Sequence, residues 1–134
     1  MIINIVLTRW NRDKIIPTMV FLRNIAPSAY IKLSGMVVSD LNFEQIGDIM
    51  LSIEETKNFL YQELLPFLQK NHITIQLEKF PFCLVFDFVQ QNNSPYFPEF
   101  YGERLDDEVC QKCPKFHHCN RYHQNHKAYL ESRN

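Results

Sequence analysis

Glycine is scarce, with 3 residues in a chain of 134, and no cysteine occurs before position 83. That composition excludes a fibrous or Gly-rich flexible chain, and 7 prolines are too few for a proline-rich linker. Charge of either sign is not in excess: Lys and Arg number 14, Asp and Glu 15, and the formal net charge is −1. A nucleic-acid footprint is therefore not expected. The densest basic residues (Lys112, Lys115, Arg121, Lys127) lie near Glu103, Asp106, Asp107 and Glu108, which reads as a mixed solvated surface. A long hydrophobic run is lacking too. Met1 to Thr8 is apolar, but Arg9, Trp10 and Asn11 end it too early for a signal-peptide core and far too early for a membrane span. The expectation is a cytoplasmic protein with no membrane partner. In a reducing compartment, clustered cysteines point to metal or redox chemistry more than to disulfides.

What is present is a core's worth of apolar side chains, 46% of the chain with 13% aromatic, enough for one domain or a piece of a larger one. Ile2 to Leu7 reads as a buried strand. A helix is predicted from about Pro17 to Ile25, with proline in its first turn and Met19, Val20, Phe21 and Leu22 as a broad apolar face. Ala26-Pro27-Ser28 closes it, and Ala29 to Leu33 reads as a second strand. Ser52-Ile53-Glu54-Glu55 is a capping box. Beyond it Ile53, Leu60, Leu64, Phe67 and Leu68 recur at helical spacing up to Asn71. Pro66 lies inside that pattern and predicts a kink or break. Ile73 to Leu77 alternates and reads as a third strand. The order β-α-β-α-β favours an α/β fold with a parallel sheet and helices on its face. From Phe80 to Tyr101 no period is stable, and an ordered loop carrying large apolar side chains is expected. A last helix is predicted over roughly Asn120 to Glu131.

All 4 cysteines lie in the second half. Cys110-Gln-Lys-Cys113 is a CxxC, and Cys119 follows after five intervening residues, so one loop can wrap three thiolates around one centre. Cys83 can close the fourth position. Four thiolates suit tetrahedral zinc or an iron–sulfur cluster. Inert buried cysteines have no reason to take ligand spacing. A thioredoxin-type redox pair lacks its strand-to-helix setting. His117, His118, His123 and His126 surround the motif. His123, four residues after Cys119, could replace a thiolate in a site of three cysteines and one histidine, but each histidine reads first as a surface or supporting residue.

These pieces resemble the C-terminal half of radical S-adenosylmethionine (radical SAM) enzymes that carry a twitch or SPASM-type auxiliary cluster domain. Ile3 to Leu7, Asn11 and the helix with Phe21-Leu22 look like a late strand and helix of that family's partial (β/α)6 barrel, and the strand ending at Ser34-Gly35 looks like the next. Phe80-Pro81-Phe82-Cys83-Leu84 looks like the exit from the barrel. CxxCx5C is similar to the core of the auxiliary ligand pattern. The resemblance divides the chain into 1–79, a partial barrel segment, and 80–134, a cysteine-rich auxiliary region ending in a helix. It implies that Cys83, Cys110, Cys113 and Cys119 ligate one [4Fe-4S] cluster.

The departures are specific. The CxxxCxxC that holds the SAM-cleaving cluster is absent, as is the glycine-rich segment that meets the methionine amino group. His123 stands where larger SPASM domains place another cysteine, and Asn120 stands where glycine is usual. By resemblance the chain is a twitch-type half that should not cleave S-adenosylmethionine by itself. It would be a severed C-terminal piece or, second, a subunit completing a barrel supplied by another chain. Implied partners are that catalytic half or a peptide substrate. A severed half further implies an open apolar edge at Ile2 to Leu7. The contrasting expectation is a non-enzymatic zinc-binding interaction module; a lone electron-transfer protein would leave the βα part without purpose.

Overall fold

The computed structural model describes residues 1–36, 49–80, 82–95 and 112. Its described part is mixed α/β, built on a parallel sheet of β1 (Ile2–Val6), β2 (Tyr30–Ser34) and β3 (Gln76–Glu78) in the order β1-β2-β3. Helix α1 (Ile15–Ile25), entered through a 3₁₀ turn at Arg12–Lys14, crosses from β1 to β2. Between β2 and β3 come α2 (Ile53–Asn58), a π-helical stretch (Phe59–Leu64) and α3 (Leu65–Asn71). Helix α4 (Phe82–Asn92) follows β3. Among the described residues no helix is long and apolar enough to cross a membrane.

The register aligns Ile3 with Ile31, and Ile5 with Leu33 and Leu77. Because side chains alternate between faces along a strand, these residues share one side of the sheet. Ile31, Leu33 and Leu77 join one core with Ile15 and Met19 of α1, and with Leu60, Leu64 and Leu68 of the helices before β3. Both crossovers therefore cover the same face. Val20 and Phe21, expected on the apolar face of α1, are exposed, because only Ile15 and Met19 of that helix are fully buried.

The capping box at Ser52 forms in both directions: Glu55 N–H donates to the Ser52 hydroxyl at 3.1 Å, and Ser52 N–H donates to Glu55 Oε1 at 3.1 Å. Pro66 has the predicted effect by an unforeseen route. Proline lacks an N–H, and its ring presses on the carbonyl four residues back. The preceding turns widen to π geometry, with Leu65 N–H bonded to Leu60 O, and the chain resumes as α3 with proline in its first turn. Its far end closes as a Schellman motif, with His72 left-handed at φ 55° and Ile73 N–H bonded to Leu68 O at 2.9 Å.

Three expectations are corrected. The loop expected from Phe80 contains α4, whose Leu84, Val85 and Phe88 enter the same core. Their spacing is helical, and it was masked by the surrounding proline, asparagine and aromatic residues. Strand β3 covers Gln76–Glu78, not Ile73 to Leu77. The Asn92 side chain takes the place of a neighbouring strand there, donating to Ile73 O at 2.8 Å and accepting from Ile75 N–H at 3.2 Å. Strand β1, expected to be buried, lies at an edge with Ile2 and Val6 exposed.

Candidate functional site

In a parallel sheet the loops that carry chemistry gather at the carboxyl ends of the strands. Here that edge is formed by Leu7-Thr8, Gly35-Met36 and Lys79-Phe80. The exit from β1 is fixed by Asn11, whose Oδ1 accepts from Thr8 N–H at 2.8 Å while its Nδ2 donates to Val6 O at 2.7 Å. Arg9 then reaches across to α2. It grips both Glu55 oxygens at 3.0 Å and donates to Met50 O at 2.9 Å. Partial burial alone would raise the Glu55 carboxyl, but its hydrogen bonds with Ser52 and the Arg9 charge outweigh that and hold it below its ordinary 4.5.

The β3–α4 junction is pressed against β2 at Gly35. A Cβ there would lie 3.0 Å from Lys79 O and 3.2 Å from the Phe80 ring. Lys79 itself adopts φ 63°, a left-handed turn that sends buried Phe80 into the core. A small cavity beside this junction, about 40 Å³ and lined mainly by apolar residues, among them Leu7, Gly35, Met36, Met50 and Phe80, opens there. Two residues beyond Lys79–Phe80, α4 begins, and Cys83 occupies its first turn.

Tyr61, in the π-helical stretch, clamps α4 from the other side. Its hydroxyl donates to Leu84 O at 2.7 Å and accepts from Phe88 N–H at 3.4 Å, and its ring meets Phe88 edge-on at 6.2 Å. Burial pushes its phenol above the ordinary 10.0; the Phe88 N–H opposes this and the Asp87 charge adds to it.

A polar row occupies the sheet face opposite the helices. Asn4, Lys32 and Gln76 are aligned, and so are Ser34 and Glu78. Ser34 donates to Asn4 Oδ1 at 2.7 Å, Lys32 pairs with Glu78, and Gln76 Nε2 donates to Glu78 Oε1 at 3.3 Å. Ser34 and Glu78 are buried, so each is held by partners within the row. Sequence reading missed these residues, although their signal is the polar half of each alternating strand. A carboxylate neutralised by a lysine secures the register of three strands and offers no activated nucleophile.

Of the expected ligands, Cys83 alone lies among the described residues. Cys110, Cys113, Cys119, His117, His118, His123 and His126 lie outside them, as does the helix expected over 120–131. Among the described residues no group of three or more His, Cys, Asp or Glu side chains could hold a metal. No protein-family model matches the chain, and neither curated proteins nor solved structures yield a match.

Proposed function

We infer that this chain binds a [4Fe-4S] cluster through Cys83, Cys110, Cys113 and Cys119, as the C-terminal auxiliary-cluster portion of a radical SAM enzyme, these 134 residues containing no SAM-cleaving CxxxCxxC motif. The observation that carries the reading is the position of Cys83. It stands in the first turn of α4, directly behind the carboxyl end of a parallel strand, on a junction fixed by Gly35 and Phe80. A ligand on a packed helix gives three thiolates of CxxCx5C spacing a rigid point to close upon. Four soft thiolates match iron–sulfur chemistry, which supplies electron transfer or a coordination position for substrate. In this reading the parallel sheet is a segment of a partial (β/α)6 barrel, and S-adenosylmethionine and a peptide substrate belong to the completed assembly.

The test is anaerobic purification followed by iron, sulfide and zinc analysis with a visible spectrum. About four irons and four sulfides per chain with a broad visible band are expected. One zinc and a colourless protein would replace this reading with a zinc-binding interaction module, in which His123 becomes a candidate ligand.

A further inference from the structure

Among the described residues, directional side-chain bonds reach α4 near both of its ends. At the far end the Asn92 amide is bonded to Ile73 and Ile75. Near the start the Tyr61 hydroxyl donates to Leu84 O at 2.7 Å and accepts from Phe88 N–H at 3.4 Å. Leu84 and Phe88 are four residues apart, so these two groups are the opposite ends of one rung of the helix. A hydroxyl bonded to both ends of a rung fixes the height of the helix and its rotation together. The core contacts of Leu84, Val85 and Phe88, by contrast, are apolar and set no direction.

Cys83 stands one residue before Leu84, about 1.5 Å along the axis from the residue Tyr61 holds. Asn92 is nine residues away, about 13.5 Å at the same rise, so a tilt about that anchor grows toward the first turn. A metal ligand must be held to within about 0.5 Å of its productive place. Apolar packing tolerates shifts of that size, whereas a hydrogen bond is weakened by them. Tyr61 is itself well held. It lies in the π-helical stretch before Pro66, next to fully buried Leu60, and packs against the core. Such π stretches recur at functional positions.

We propose that Tyr61 is the positioning residue for Cys83 as a metal ligand, its hydroxyl locking the first turn of α4 at the height and rotation from which Cys83 closes the centre. This role rests on the ligand assignment of Cys83, and not on which metal is bound. It makes the crossover between β2 and β3 a supporting part of the metal site, through a residue 22 positions before the ligand in the chain. Loss of the one hydroxyl is then felt in how tightly and in what geometry the metal is held, beyond its cost to the fold.

Release of metal from the anaerobically purified full chain to excess chelator tests this, together with a spectrum of the bound metal. The spectrum is the electron paramagnetic resonance of the reduced cluster or, for a zinc protein, the visible bands of its cobalt(II) form. Tyr61→Phe keeps the ring against Phe88 and removes the hydroxyl alone. Ser52→Ala is the control: it deletes the cap of α2, a comparable loss of stability, through bonds that lie within α2. Tyr61→Phe is expected to release metal about tenfold faster than wild type and to shift the spectrum. Ser52→Ala should match wild type in both. A Tyr61→Phe protein with the wild-type release rate or the wild-type spectrum would overturn the role of Tyr61 and leave the cluster in place. Equal changes in Ser52→Ala would overturn it too, by tracing them to lost stability. Zinc in place of iron would end the cluster reading alone, and the same comparison would then decide on Tyr61. A wild type that binds no metal would overturn both.

Discussion

Gly35 and Tyr61 hold α4 where it is, and each does so through contacts a single substitution can remove. Gly35→Ala brings a methyl group within 3.0 Å of a backbone carbonyl, an atom that cannot rotate away, so the β3–α4 turn must shift. A loss of about 1–3 kcal/mol is expected in denaturant unfolding. If Cys83 is a ligand, iron content should fall with it. Tyr61→Phe keeps the ring contact with Phe88 but loses the hydrogen bonds to α4, a cost of about 0.5–1.5 kcal/mol. The pH dependence has a definite sign. Because the folded state raises the phenol above 10.0, its contribution is complete below that pH and is lost as pH rises through the folded value. Wild-type stability should decline more steeply than that of Tyr61→Phe above pH 10, and equal slopes in the two proteins would contradict the assignment.

At the scale of elements, Asn92 carries an unusual share of the fold. It is buried near the end of α4 and serves Ile73 and Ile75 as a strand would. Asn92→Ala leaves a donor and an acceptor unpaired in a largely buried place, for an expected loss of about 2–4 kcal/mol. Asn92→Asp, which keeps one acceptor and introduces a charge, should not restore it. This contact also explains which elements could be read in advance. The capping box was legible because Ser52 and Glu55 are three residues apart and need nothing distant. The first two strands and α1 were legible for the same reason. β3 was not read at its true length, because the partner that ends it is 17 residues away and known only once α4 exists. Helix α4 carried its helical spacing in Leu84, Val85 and Phe88 all along, but Pro81 and the asparagines around it argued for a loop. The polar row was legible strand by strand and meaningless until the register aligned Asn4, Ser34 and Glu78.

For the whole molecule, binding of the proposed cluster and folding should be one process. Cys83 belongs to a helix whose next residues, Leu84 and Val85, are in the core, while the other proposed ligands lie far along the chain. Ligation would therefore tie the C-terminal part to the sheet through a rigid element, and a metal that binds only the folded arrangement adds its binding free energy to stability. Stripping iron with a chelator under anaerobic conditions should lower the melting temperature of the wild type and release the visible band. Cys113→Ala should melt with the stripped protein and show no further drop on chelation, since a missing thiolate opens the site. Cys83→Ser is the sharper case. With three thiolates still grouped by CxxCx5C, it could retain some metal, yet the tie to α4 would be cut. Residual iron without thermal stabilisation is the expected pairing. Full iron content together with the full wild-type shift in melting temperature would show that Cys83 is no ligand, and that the centre, whatever its metal, is built within residues 110–134 alone.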